Sequence, residues 1–219
     1  MLNAVIFDFD GIIVDSEPLH FNAFNEVLEP LGKSFTWEEY CKTYIGFDDR
    51  DAFRTAFKKE GLCAKELNRL IREKASAFQT QVHNGKATPL PGAVDLIKSL
   101  PPNLPIALCS GALKEDIDPI LKQLGIECYF DVIVTADDTA RSKPDPAPYR
   151  LVLEKLGIST PAFVVAIEDT PAGILSAKKN GLKVLAVTNS YDRDYLLDAD
   201  SITDTLEKTT RLSLEDMVQ

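Results

Sequence analysis

Residues 4–15 read AVIFDFDGIIVD. The apolar run that opens this stretch is typical of a parallel strand buried on both faces, and it ends in two carboxylates, Asp8 and Asp10. In an open α/β sheet, ligands bind beyond the carboxyl ends of the strands, and Gly11 lets the chain turn tightly there. The stretch therefore predicts a first strand that delivers two acids to a functional sheet edge, although aspartate and glycine are also ordinary turn residues.

The composition describes a folded, acidic protein: 219 residues, 45% of them hydrophobic, with a formal net charge of −10. This length can hold one large domain or a core with an insertion. The charge argues against a nucleic-acid partner, because a duplex-binding surface needs clustered Lys and Arg, and an anionic substrate must be captured by a locally positive site. Without a basic leader or a long apolar run, we expect a cytoplasmic protein with no membrane partner, as a monomer or a weak dimer.

The four cysteines do not form a recognisable metal or redox motif. They contain no Cys-x-x-Cys pair and have no nearby histidine at a zinc-ligand spacing. We expect reduced, mostly buried thiols at Cys41, Cys63, Cys109 and Cys128.

Helical periodicity dominates residues 16–89, and no convincing strand interrupts it. Ser16 is a candidate N-cap, Pro18 fits a first turn, and Gly32 ends the first helix. The sequence predicts four helices in this region, over 16–31, 36–44, 48–59 and 64–82.

Beyond a turn-rich linker at residues 84–92, short apolar runs alternate with helical segments. Such alternation gives a doubly wound parallel sheet, to which the first strand also belongs because it would otherwise stand alone. We therefore predict an α/β core over residues 1–15 and 90–219, with an all-helical domain inserted at 16–89. The later predicted strands cover 106–109, 132–135, 163–167, 184–187 and 201–203, and the predicted helices cover 93–99, 114–124, 147–156 and 171–180.

Later strands of this sheet also end in polar residues. The second ends at Ser110 and Gly111, a small hydroxyl loop that runs into a helix whose N-terminal amides favour an anion. Lys143 follows the third strand in a proline-stiffened stretch, and the fourth strand ends in Glu168 and Asp169. Taken singly, these residues could be a turn serine, a solvated lysine and a helix cap. Together they bring complementary groups to one sheet edge.

Three other motif families fit the sequence poorly. An EF-hand loop needs an oxygen ligand and a glycine where Ile12 and Ile13 stand. The GKS at residues 32–34 lacks the earlier glycine and the preceding strand of a P-loop. Ser110 lacks the Gly-x-Ser-x-Gly elbow of a serine hydrolase, and the chain has only two histidines.

The arrangement resembles the haloacid dehalogenase superfamily of phosphotransferases, in the branch with a helical cap inserted after the first strand. Residues 8–11 (DFDG) resemble the first motif, Ser110 the second, Lys143 with its following proline the third, and residues 168–169 the fourth. Order, spacing and cap position agree over nearly the whole chain. The resemblance implies a Rossmann-like core, Mg²⁺ as cofactor and a covalent aspartyl-phosphate.

The same resemblance implies a role for each side chain. Asp8 would be the nucleophile and Asp10 the general acid and base. Because an aspartate with an ordinary pKa of about 4 is a poor acid near neutrality, the Asp10 side chain must be desolvated or hydrogen-bonded as the acid. The metal ligands would be Asp8, Asp10 through its carbonyl, Asp169 and, directly or through water, Glu168. The phosphoryl group would be bound by Ser110, Gly111 and Lys143.

The inserted domain is similar to the caps of β-phosphoglucomutases and sugar-phosphate phosphatases. His20, Gly46, Arg50 and Lys74 lie at or near positions where those caps place residues that face the substrate. A histidine on an amphipathic helix is, however, more often a structural residue.

Three departures from the mutase pattern concern contacts to a second phosphate. Ile45 stands in place of a cap lysine, the cap arginine is displaced to Arg50 beside Asp49, and Ala112 replaces a serine. A bisphosphate would then be held poorly, so water should take the phosphoryl group. We therefore predict a Mg²⁺-dependent phosphatase of a small phosphorylated metabolite, such as a sugar or polyol phosphate. The alternatives are a phosphosugar mutase and, in a different class, a non-catalytic phosphometabolite-binding protein.

Overall fold

The protein is described by a computed structural model over residues 1–44, 49–84 and 87–219. It divides into two compact units. The core unit comprises Met1–Asp15 and Thr88–Gln219, and the helical unit comprises Ser16–Ala87. The second junction falls at 87/88, whereas the sequence predicted it at 89/90.

The core unit is an α/β fold, which confirms the predicted fold class. The described strands are, in chain order, β1 (Ala4–Phe7), β2 (Val14–Asp15), β3 (Thr88–Pro89), β4 (Ile106–Cys109), β5 (Val132–Val134), β6 (Val164–Glu168), β7 (Lys183–Val187) and β8 (Ser201–Thr203). The described helices are, in chain order, α1 (Glu17–Leu28), α2 (Trp37–Thr43), α3 (Asp49–Ala56), α4 (Ala64–His83), α5 (Ala93–Ser99), α6 (Lys114–Leu124), α7 (Ala147–Leu156), α8 (Pro171–Lys179) and α9 (Arg211–Asp216).

The main sheet has six parallel strands in the order β5-β4-β1-β6-β7-β8. Its centre is β1, which pairs with β4 on one side and β6 on the other, so that Phe7 lies opposite both Leu108 and Ile167. All residues of β1, β4 and β6 are buried, which explains why these strands read as unbroken apolar runs. Because these strands end at the same edge, the polar residues that follow them converge.

A second, two-stranded antiparallel sheet was not predicted. It pairs β2 with β3, with Val14 opposite Pro89 and Asp15 opposite Thr88. Residues 84–92 were predicted to be a linker, and no second strand was predicted at residues 14–15, because two-residue strands are too short to show an alternating pattern. This small sheet lies in the core unit, at the two points where the chain leaves for and returns from the helical unit.

The helical unit contains α1 to α4 around an aromatic core. Phe24, Phe35, Tyr40 and Phe53 are all buried there, and α1 and α3 both pack against α4. Asn25 fixes the chain after α1, because its side chain donates to the Phe35 carbonyl at 3.1 Å and accepts from the Phe35 amide at 2.7 Å.

Several local predictions for this unit need correction. Ser16 precedes α1, but its side chain makes no capping hydrogen bond to that helix. The first helix ends at Leu28 and continues as a 3₁₀ turn over Glu29–Leu31, because Pro30 has no amide hydrogen for the α-helical ladder. The third helix ends at Ala56 and not at residue 59, since the Lys58 amide bonds to Thr55 and tightens the chain into a turn.

The cysteine prediction is wrong in one respect. All four thiols are free, but only Cys109 is buried. Cys41, Cys63 and Cys128 are exposed. Cys41 lies on α2, where Tyr40 is the buried residue, Cys63 is the N-cap of α4, and Cys128 lies in a 3₁₀ turn. Across the described ranges, no helix combines the length and the apolar composition needed to cross a membrane.

Candidate functional site

Three carboxylates meet at the carboxyl edge of the main sheet. Asp8 follows β1, while Glu168 and Asp169 come from the end of β6, and each of the three offers an oxygen within 4.8 Å of the others. Asp8 is 8% exposed, Glu168 0% and Asp169 1%. Like charges buried this closely are unfavourable unless a cation lies among them.

Lys143 provides one such cation. Its ammonium donates to Asp8 Oδ1 at 2.8 Å, to Glu168 Oε1 at 2.6 Å and to the Cys109 carbonyl at 2.8 Å. Burial by itself lowers the pKa of Lys143, but the charges of Asp8 and Glu168 outweigh it and hold that pKa well above its ordinary value. Lys143 is therefore a permanent cation that ties the ends of three strands together.

Glu168 is held by contacts with two other side chains. Its Oε1 accepts a hydrogen bond from Lys143 and another, at 2.6 Å, from the Tyr149 hydroxyl on α7. Gly173 on α8 leaves the room for the carboxylate, because a Cβ there would collide with it. Burial raises the pKa of Glu168 to about 6, with Lys143 opposing the shift and Asp8 adding to it.

Asp169 has one engaged oxygen and one without a partner. Its Oδ2 accepts a hydrogen bond from the Ser190 hydroxyl, whereas Oδ1 is buried and makes no hydrogen bond with any described residue. Burial, reinforced by Asp8 and Glu168, raises the pKa of Asp169 well above its ordinary value. An unpartnered buried carboxylate oxygen beside two further acids is a donor set that fits a hard divalent cation such as Mg²⁺.

Asp10 lies half-buried in the turn that follows β1. It forms a β-bridge with Val14, and the Gly11 amide donates to the Val14 carbonyl at 2.9 Å. The Gly11 carbonyl in turn accepts from the Asn189 side chain at 2.7 Å. The amide and the carbonyl of Gly11 are therefore both hydrogen-bonded, which fixes the backbone next to the Asp10 carbonyl.

Ser110 is buried directly after β4 and is held there by backbone contacts. The residue is 3% exposed, and its amide donates to the Val134 carbonyl at 2.9 Å. Its hydroxyl oxygen accepts from the Ala112 amide at 2.9 Å, which leaves the hydroxyl hydrogen to be donated elsewhere. Gly111 is exposed next to it, with open space where a side chain would start.

Two of the predicted residues of the helical unit, His20 and Lys74, contact each other. The Lys74 ammonium is 2.7 Å from Asp49 Oδ1 and 2.7 Å from His20 Nδ1, and the Lys74 side chain is 3% exposed. The His20 ring stacks on Phe78 with centroids 4.4 Å apart. Because an ammonium can only donate, His20 Nδ1 accepts and the proton of the neutral ring lies on Nε2. Arg50 is exposed, and the predicted residue Gly46 lies outside the described residues.

Four residues that form hydrogen bonds with predicted residues or with the turn after β1 were not predicted from the sequence. They are Asp49, Tyr149, Asn189 and Ser190. Each is far along the chain from the residue it contacts. One sequence signal was available for the last two, because a polar Thr-Asn-Ser run follows β7 at the same carboxyl edge.

Comparison with known proteins gives a consistent result. The family described as haloacid dehalogenase-like hydrolase matches residues 5–187. The chain is 32% identical over 206 residues to a phosphorylated carbohydrates phosphatase of Thermotoga maritima, covering 92% of this chain and 93% of that protein. It is 31% identical over 185 residues to the fructose-1-phosphate phosphatase YqaB of Escherichia coli, covering 84% and 95%. The crystal structure of CbbY from Rhodobacter sphaeroides in complex with phosphate is similar at a TM-score of 0.88 and 26% identity, over 99% of this chain and 100% of that chain.

The buried lysine should dominate the stability of the core unit. Lys143→Met leaves Glu168 and Asp8 without their cation and should lower the free energy of unfolding by about 3 kcal/mol at pH 7.5 in urea titrations. The loss should shrink at pH 5, because Glu168 takes up a proton below its pKa of about 6. Lys155→Met, which removes an exposed partner of Asp138, is the matched control and should cost less than about 1 kcal/mol. An equal loss at both pH values would contradict this assignment.

His20 in the helical unit should make the free energy of unfolding depend on pH. Burial, with the charge of Lys74, holds the pKa of His20 well below the ordinary value of 6.5. As the pH falls through 6.5, the unfolded chain therefore binds a proton before the folded chain does, and stability is lost on the acid side. Wild type should lose free energy of unfolding relative to His20→Gln between pH 7.5 and 5.5, measured by urea titration. A difference between the two proteins that does not vary with pH would rule out this effect.

Proposed function

Because the chain belongs to the haloacid dehalogenase-like hydrolase family, we propose that it is a Mg²⁺-dependent phosphatase that hydrolyses a small phosphorylated carbohydrate through an aspartyl-phosphate. The observation that carries the proposal is the group of Asp8, Lys143, Glu168 and Asp169 at the carboxyl edge of the sheet. The two relatives whose names specify phosphorylated carbohydrates support the substrate class.

In this proposal Asp8 is the nucleophile. Its carboxylate oxygen attacks phosphorus and forms an acyl phosphate, while the bond from phosphorus to the sugar oxygen breaks. Lys143 holds Asp8 Oδ1 in place at 2.8 Å and remains charged throughout. Ser110 donates its hydroxyl hydrogen to a phosphoryl oxygen. That hydrogen is available because the Ser110 oxygen is the acceptor in its bond with the Ala112 amide.

Asp10 moves the protons in both half-reactions. As a carboxylic acid it gives its proton to the departing sugar oxygen, and the sugar leaves as a neutral alcohol. The resulting carboxylate then takes a proton from a water molecule that attacks phosphorus. The bond from phosphorus to Asp8 breaks, inorganic phosphate leaves, and Asp10 is again protonated.

The charge of the site supports a metal requirement. Three acidic groups, Asp8, Glu168 and Asp169, surround a single cation, Lys143, so a phosphate dianion would face more acids than cations. Asp8, the Asp10 carbonyl and Asp169 would hold Mg²⁺, with Glu168 nearby through its second oxygen or a water. When bound, Mg²⁺ offsets this repulsion and neutralises charge on the phosphoryl oxygens.

A contact within the helical unit supports a phosphatase over a mutase. A mutase must retain a sugar bisphosphate, which calls for cationic groups that can bind the second phosphate. The Lys74 ammonium is paired with Asp49 at 2.7 Å and is almost fully buried, so its charge is already neutralised. This pairing adds to the departures at Ile45, Ala112 and Arg50. Lys74 orients His20, whose Nε2 hydrogen could donate to a sugar hydroxyl.

The nucleophile assignment is tested by Asp8→Asn. Its turnover of an aryl phosphate with Mg²⁺ should fall on the order of 10⁴-fold with the fold intact, because the amide cannot form the acyl phosphate. Asp95→Asn, a surface aspartate of the same unit, is the matched control and should keep full activity. Near-normal turnover by Asp8→Asn would show that another group attacks. Absence of turnover by wild type, with Mg²⁺ present, would favour the non-catalytic binding protein.

Phosphatase and mutase activities are separated by a second assay. The protein is incubated with Mg²⁺, β-glucose 1-phosphate and a trace of glucose 1,6-bisphosphate, while glucose 6-phosphate and free phosphate are both followed. We expect phosphate release to dominate, because losing two charged hydrogen bonds, each of roughly 1.5 to 3 kcal/mol, would cut bisphosphate retention by more than about a hundredfold. Efficient isomerisation with little phosphate released would establish the mutase instead.

A further inference from the structure

The segment after β7 holds two loops of the candidate site through consecutive side chains. Asn189 donates to the Gly11 carbonyl at 2.7 Å, and Ser190 donates to Asp169 Oδ2. The two contacted loops follow β1 and β6, which are neighbours in the sheet, and β7 pairs with β6 on its far side. A fifth strand end thus contributes to the site.

Gly11 makes the contact between Ser190 and Asp169 possible. A Cβ at Gly11 would collide with Asp169 Oδ2 and would lie 2.8 Å from Ser190 Oγ. Gly11 also has a φ of +74°, in the left-handed region that disfavours other residues. The glycine of the DFDG motif therefore provides the space in which the serine hydroxyl meets the carboxylate, besides making the turn.

The contact leaves Asp169 with one oxygen for a cation. Oδ2 is engaged by Ser190, and Oδ1 is buried without a partner among the described residues. Mg²⁺ needs near-ideal octahedral geometry and single oxygens at short distance, whereas Ca²⁺ accepts bidentate carboxylates and higher coordination numbers. A carboxylate restricted to one oxygen therefore suits Mg²⁺ better than Ca²⁺.

We propose that Ser190 is a positioning residue that restricts Asp169 to one metal-binding oxygen and so makes the site selective for Mg²⁺ over Ca²⁺. The inference rests on the proposed metal site at Asp8 and Asp169. It assigns to Ser190 a role in the choice of ion and none in contacting the substrate. Partners of metal-binding carboxylates commonly change metal affinity 10- to 100-fold when they are replaced.

The test is a pair of calorimetric titrations with Mg²⁺ alone and Ca²⁺ alone, without substrate, on wild type and Ser190→Ala. In the variant both oxygens of Asp169 are available, so the Mg²⁺ dissociation constant should rise about tenfold while that of Ca²⁺ stays the same or falls. Thr188→Ala, which removes a hydroxyl of the same segment that contacts Asp204, is the matched control and should keep the wild-type ratio of the two constants. Ser190→Cys, which retains a similar shape with a weak donor, should behave like Ser190→Ala and replaces it if the alanine variant does not fold.

The outcomes separate this inference from the proposed function. If wild type binds Mg²⁺ and Ser190→Ala has an unchanged ratio of dissociation constants, the role of Ser190 is wrong while the metal site stands. Equal weakening of both ions would show that Ser190 acts only on structure, which also overturns the inference. Absence of Mg²⁺ binding by wild type would overturn the metal site itself.

Discussion

The buried ammonium of Lys143 is the interaction on which the candidate site depends. It joins the Asp8 carboxylate, the Glu168 carboxylate and the Cys109 carbonyl, which belong to the ends of three adjacent strands. Without it, buried acids would face each other uncompensated, at a cost of several kcal/mol. With it, the acids are partly compensated, although they still outnumber the cation. We expect such a site to bind an anion together with a divalent cation, so that the fold and the proposed metal requirement would have the same origin.

The helical unit also contains a buried lysine, but the charges around it balance differently. Lys74 is more deeply buried than Lys143, with 3% of its side chain exposed against 10%. A single carboxylate, Asp49, pairs with it, and His20 accepts its second hydrogen bond. One ammonium with one carboxylate is neutral, so this cluster has no electrostatic need for a further ion. The faces of Phe24 and Phe78 lie 5.0 and 5.3 Å from the ammonium and complete its surroundings. The two lysines therefore support different groups: Lys143 organises the proposed metal and phosphate site, and Lys74 fixes the tautomer of a histidine.

The fold and much of the site could be predicted from the sequence, because both depend on local patterns. Buried parallel strands give apolar runs, and acids directly after such a run, as at Asp8 and Asp169, must lie at the ligand-binding edge. The partners could not be predicted in the same way. Ser190 reaches Asp169 across 21 residues and Tyr149 reaches Glu168 across 19, with no repeating pattern to link them. The sheet of β2 and β3 could not be predicted either, since strands of two residues are too short to show any periodicity.

The decisive measurement is the binding of inorganic phosphate with and without Mg²⁺. If Lys143 stabilises the group of acids without reversing its negative charge, phosphate should bind only when a divalent cation is present. Calorimetric titration of the wild-type protein with phosphate should therefore give measurable binding in Mg²⁺ and none in a chelator. The same phosphate affinity in both solutions would contradict the need for a divalent cation, because the residues of the chain alone would then provide the positive potential.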